Sequence, residues 1–127
     1  MNENQLATVI VDSCYKIHTR LGPGLFESVY ETVLAHELKS RGLSVVRQQP
    51  IAIEYDGLTF EEGFRADLVV ENKVIIELKS VEKYSPVFQK QLLTYLRLTG
   101  LKLGFLINFG EAYIKDGISR VINGTLD

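Results

Sequence analysis

Phe64-Arg65-Ala66-Asp67-Leu68-Val69-Val70-Glu71-Asn72-Lys73-Val74-Ile75-Ile76-Glu77-Leu78-Lys79 sets two short β-prone runs on either side of a polar triplet. With Glu71-Asn72-Lys73 as the turn, antiparallel pairing puts Val70 opposite Val74, Leu68 opposite Ile76 and Asp67 opposite Glu77. Side chains alternate between the faces of a strand. One face then carries Phe64, Ala66, Leu68, Val70, Val74, Ile76 and Leu78, all apolar; the other carries Arg65, Asp67, Val69, Ile75, Glu77 and Lys79. A slip of one residue would bury the charges and expose the apolar set, so the pattern specifies its register strongly.

In this register Asp67 and Glu77 are cross-strand neighbours, with Cβ atoms about 4.5–5.5 Å apart. Two carboxylates at that separation repel unless a proton or a cation lies between them. A hard divalent cation such as Mg²⁺ takes oxygen ligands, commonly one or two carboxylates with water and substrate phosphate. Lys79 falls on the same face as Glu77, where an ammonium can orient an attacking water or offset charge developing on a phosphate. A solvated lattice of ion pairs among Arg65, Asp67, Glu77 and Lys79 is the other reading this spacing allows.

Outward from the hairpin the chain reads as alternating helices and strands. Leu6, Val9, Ile10, Ser13, Ile17 and Leu21 recur near helical spacing, which predicts a helix over residues 3–20 ended by Gly22-Pro23-Gly24. A second helix is expected over residues 25–41, with Leu25, Val29, Val33 and Leu38 on its apolar side and Gly42 as its stop. Val45, Val46, Ile51, Ile53 and Tyr55 form a β-rich run that turns at Asp56-Gly57. Phe88, Leu92, Leu96 and Thr99 predict a helix from Pro86 to Thr99, and Leu103–Asn108 reads as a buried strand. Ala112–Ile114 and Ile118–Ile122 flank Asp116-Gly117 as an expected final hairpin. The expected order is α-α-β-β-β-α-β-β, an α/β fold with a mixed sheet flanked by helices.

Bulk properties narrow the function. The 127 residues, 46% hydrophobic and 24% charged, are read as a single domain over 1–127. A formal charge of −2 argues against a generic cationic nucleic-acid binder. The lone Cys14 lies in a helical apolar pattern and is expected to be buried packing, in keeping with a reducing cytoplasm. Neither a signal-peptide pattern nor an apolar run of membrane-spanning length is present, which predicts a cytoplasmic protein.

Asp67 followed after a turn by Glu77-Leu78-Lys79 resembles the motif of the PD-(D/E)XK nuclease superfamily. The stretch His18-Thr-Arg-Leu-Gly-Pro-Gly24-Leu-Phe-Glu27-Ser-Val-Tyr30 is similar to the signature of its GxxExxY branch, with Gly24, Glu27 and Tyr30 matching the pattern. The segments Phe64–Val70 and Leu101–Gly110 also look typical of that branch, and Ala66 stands where the superfamily's name has proline. The resemblance implies a restriction-endonuclease-like core and Mg²⁺- or Mn²⁺-dependent cleavage of DNA or RNA. It implies metal ligands at Asp67, Glu77, the Leu78 carbonyl and Glu27, with Lys79 assisting the attacking water. Some branches carry Gln-x-x-x-Tyr on a later helix near the metal; Gln91 and Tyr95 have that spacing and share a helix face. Helix-dipole stabilisation in the first turn is a second reading of Glu27. Lys83, Lys90 and Arg97, seven apart, read as a stripe on that later helix, either phosphate-facing or solvated. The runner-up function is a non-catalytic module that keeps the fold and binds nucleic acid or protein. Small catalytic cores use a second subunit to grip a duplex, which admits a homodimer.

Overall fold

The hairpin closes in the expected register at its turn end, Leu68–Val70 with Val74–Ile76, and the pairing stops short of Asp67 and Glu77. In the computed structural model, which describes residues 1–126, Val70 pairs with Val74, Val69 with Ile75 and Leu68 with Ile76. Glu71 and Asn72 adopt left-handed backbone at the turn, φ 53° and 54°. The surrounding elements are α1 (Glu3–Leu21), α2 (Glu27–Ser40), β1 (Val45–Tyr55), β2 (Leu58–Val70), β3 (Val74–Lys79), α3 (Val87–Thr99), β4 (Leu103–Asn108), α4 (Ile114–Gly117) and β5 (Ile118–Ile122).

The sheet runs β1-β2-β3-β4-β5 and is mixed, because α3 carries the chain across so that β3 and β4 lie parallel while every other neighbouring pair is antiparallel. One face of the sheet packs Leu68, Val70, Val74, Ile76 and Leu78 against Leu6, Ile10 and Ile17 of α1 and Leu34 and Leu38 of α2. The other packs Val69, Ile75 and Leu106 against Leu92 and Leu96 of α3. All six residues of β4 are buried, as a strand covered on both faces should be. Gly104 lets α3 settle onto it: a Cβ there would stand 2.9 Å from Leu92 Cδ1. Among the described residues no helix is long and apolar enough to cross a membrane.

Four expectations change. Phe64 and Ala66 pack with Val69 and Ile75, on the α3 side, and not with Leu68. The β1–β2 ladder skips Gln48 and Asp67 between the Arg47–Leu68 and Gln49–Ala66 pairs, and Gln48 sits at φ 50°. This irregularity breaks the two-residue alternation at Asp67. The final hairpin is absent. Residues 112–113 form no strand, Ile114–Gly117 is a single helical turn, and β5 pairs directly with β4. Gly117 lies so close to the Asn108 carbonyl that a side chain there would overlap it, so the glycine that resembled a hairpin turn is a packing position. On α2 the core side is Tyr30, Leu34 and Leu38, whereas Leu25 and Val29 are exposed. Lys83 precedes α3, which leaves Lys90 and Arg97 as exposed cations on that helix and no stripe.

Candidate functional site

Asp67 stands where β2 and β3 part. Paired residues end at Leu68 and Ile76, and the Asp67 carboxylate takes over the next bond: its Oδ2 accepts from the Leu78 N–H at 2.9 Å. A strand residue turns its N–H and C=O toward the same neighbour, so the Leu78 carbonyl edge faces Asp67 as well. Glu77 and Lys79 project from β3 toward α3. A cavity of about 220 Å³ is lined by Asp67, Glu77, Leu78 and Lys79, by Gln91 and Tyr95 of α3, and by Glu27 of α2. The fold thus brings to one cavity Asp67, Glu77, Leu78, Lys79, Gln91, Tyr95 and Glu27, the candidate ligand and catalytic positions with the Gln-x-x-x-Tyr pair.

Glu77 is the most perturbed acid in it. Burial first, and then the neighbouring Asp67 carboxylate, push its carboxyl up to about 9, and Lys79 offsets this only in part. Its Oε1 is buried without a hydrogen-bond partner. An orphaned buried carboxyl oxygen costs free energy that a cation or a donor would recover. Burial, with the two acids, also raises the Tyr95 hydroxyl; its ring stacks on Phe64 with centroids 4.0 Å apart. Lys79 lies over Phe88, Nζ 4.4 Å from the ring centroid, and Arg65 is held by Glu62. The lattice of ion pairs among Arg65, Asp67, Glu77 and Lys79 does not form.

The donors offered here are oxygens, which suit Mg²⁺ or Mn²⁺ over softer ions. Asp67 already accepts from Leu78 and Gln48 but retains lone-pair capacity on both oxygens. Among the described residues no three His, Cys, Asp or Glu side chains converge tightly enough to hold a metal by themselves. Glu27 is exposed and lines the cavity without joining Asp67 and Glu77 in a three-carboxylate cluster. The remaining set of two carboxylates and one carbonyl fits a Mg²⁺-type ion that completes its shell with water and phosphate.

Tyr30 makes its bonds to the loop before Glu27 and none to Glu27 itself. It is fully buried, stacks on Phe109 at 4.4 Å, donates its hydroxyl to the Gly22 carbonyl at 2.6 Å and accepts from the Leu25 N–H at 3.1 Å. It therefore pins the loop that delivers Glu27. His18 stacks on the same Phe109, with Nε2 2.9 Å from the Glu111 carbonyl, and Cys14 is buried, its thiol pushed up by desolvation.

Three further residues bear on the site. Glu31 is buried one turn beyond Glu27 and receives the Arg47 guanidinium at 3.0 Å. The Gln48 amide donates to both Glu31 and Asp67. Backbone held in the left-handed region at a non-glycine is maintained only where its surroundings insist on it; here it turns Gln48 toward the two acids. The four-residue spacing of Glu27 and Glu31 on one helix face was the available sequence signal. Gln48 carried none.

An α/β core whose two central strands carry an aspartate and, across a turn, a glutamate and lysine at one cavity is the architecture of a metal-dependent nuclease fold. The chain belongs to the PD-(D/E)XK nuclease superfamily, whose sequence profile matches residues 4–121. Members of this superfamily generally use divalent metal ions and act on nucleic acid. The crystal structure of SSO0001 is similar at a TM-score of 0.51 and 28% sequence identity, over 80% of this chain and 52% of that one. The chain thus spans about half the length of that protein. No curated protein matches.

Proposed function

We propose that this chain is a Mg²⁺- or Mn²⁺-dependent nuclease domain of the GxxExxY branch that hydrolyses phosphodiesters of DNA or RNA. The observation that carries the reading is the Glu77 carboxyl oxygen, buried and unpartnered beside Asp67 in a cavity shared with Lys79. Asp67, Glu77 and the Leu78 carbonyl hold the ion, and Glu27 reaches it or the substrate through water. The bound ion supplies a Lewis acid and lowers the pKa of water. Glu77 surrenders its proton on loading, since a ligand carboxyl must be ionised. Lys79 orients the attacking water and offsets charge on the phosphate; Gln91 positions the substrate. Water adds to phosphorus, the bond to the leaving oxygen breaks, and that oxygen leaves with a proton.

Titration calorimetry with Mg²⁺ and Mn²⁺ is expected to show binding that Asp67→Ala abolishes. Absent or unaltered binding removes the proposal. Cleavage of single-stranded, duplex and branched substrates, lost in Lys79→Ala, separates it from a non-catalytic module, which the net charge of −2 favours. The proposal takes residues 1–127 as one cytoplasmic domain. It includes a homodimer, for which the distal β1–β2 hairpin offers Tyr55, Leu58 and Phe60, all exposed; sedimentation tests that assembly.

A further inference from the structure

Phe26 is 80% exposed, immediately before Glu27 at the start of α2. A whole ring left in water beside a groove is free to stack on whatever enters there. The loop behind Phe26 is tied down by hydrogen bonds. Tyr30 ties it at Gly22 and Leu25, and Ser80 Oγ donates to the Leu25 carbonyl at 2.7 Å. Across from it, the Asn108 side chain bonds both the N–H and the carbonyl of Val81, at 3.1 and 3.0 Å, and Gly110 leaves no room for a side chain against Val81.

Between these walls runs a groove of about 790 Å³, formed by residues 23–28 on one side and by Ser80, Val81, Glu82 and Gly110 on the other. It shares Glu27 with the metal-site cavity, so the groove and the reaction centre are neighbours across that side chain. Among the described residues no lysine or arginine lines it, and Glu27 and Glu82 are its only charged ones. Such a groove is poorly suited to a phosphate and well suited to an uncharged, flat base. A base inside a duplex has both faces covered by its neighbours; only an unpaired one has a face to offer an aromatic ring.

Resting on the nuclease reading above, we propose that Phe26 stacks on an unpaired base beside the scissile phosphate, which makes single-stranded or frayed-end nucleic acid the substrate class. Phe26 is then a specificity-determining residue and not a catalytic one.

The test uses the full chain with Ca²⁺ and oligonucleotides carrying 2-aminopurine, together with cleavage assays in Mn²⁺. Wild type is expected to quench the fluorescence of the single-stranded probe and to leave the duplex probe unchanged. Phe26→Ala is expected to lose the quench, bind the single strand at least about five-fold more weakly and keep its melting temperature; Phe26→Trp restores both. Equal quench and affinity in Phe26→Ala, equal binding of duplex and single strand, or no binding of the single strand by wild type each overturns the inference. So does a Phe26→Ala protein that changes only its sedimentation, which assigns the ring to a protein contact. A protein that stacks the base without cleaving it supports the inference and removes the hydrolytic reading alone.

Discussion

A glutamate buried beside an aspartate faces two electrostatic penalties, and Glu77 meets both by holding its proton to about pH 9, against an ordinary value of 4.5. The folded state then binds one proton more than the unfolded chain between those limits. Stability from this group is full below the lower value and is lost as pH rises toward the upper one, at about 1.4 kcal/mol per pH unit. Urea denaturation of the metal-free protein at several pH values should therefore show wild type losing stability relative to Glu77→Gln as pH rises. A pH-independent difference would show that Glu77 is ionised in the fold. Because loading expels that proton, metal affinity should also rise with pH across the same interval, about ten-fold per unit. The acid pair was legible from residue types and spacing alone. The proton on Glu77 was not, because its first cause is burial, which depends on the other elements that close the cavity around it.

Elements set the geometry around these residues. Helix α2 delivers Glu27, and the Tyr30 hydroxyl, with its two bonds to the 22–25 loop, fixes where that delivery ends. Tyr30→Phe keeps the stack on Phe109 but leaves the Gly22 carbonyl and the Leu25 N–H unpaired, at a cost of about 1–3 kcal/mol. Thermal denaturation should register that loss, with metal-dependent cleavage falling in parallel as Glu27 loses its fixed approach. Unchanged cleavage in a destabilised Tyr30→Phe protein would confine the tyrosine to folding. The helix itself was readable from periodicity and its flanking glycines. Its buried side was misread toward Leu25 and Val29, since several helical stripes of α2 are apolar and only the docking against β1–β3 selects the one with Tyr30, Leu34 and Leu38. The Asp116-Gly117 pair misled for a related reason: a turn signal says nothing of the Asn108 carbonyl packed against it.

At the scale of the molecule, an ion that binds the folded chain and not the unfolded one stabilises it by mass action. Mn²⁺ at a hundred times its dissociation constant should contribute about 2.7 kcal/mol, which for a domain of this size raises the melting temperature by several degrees. Asp67→Ala should melt at the same temperature with and without Mn²⁺. A shift that persists in Asp67→Ala would place the ion elsewhere. The proposed homodimer belongs to this scale too, because the distal hairpin bearing Tyr55, Leu58 and Phe60 buries little within one chain.

The register of the β2–β3 hairpin was determined within sixteen residues, because alternation of apolar and charged side chains admits one pairing and penalises every slip. Up to β4 the succession of elements followed from periodicity and breakers, which act over short stretches of chain; the closing hairpin did not. What needed the tertiary structure were contacts between segments far apart in sequence: Gln48 joining Glu31 to Asp67, the face switch at Ala66, the clamp of Tyr30 and the bare ring of Phe26 over its groove. Pattern rules carry information along the chain. Desolvation, strain and shape arise only when distant segments close on one another.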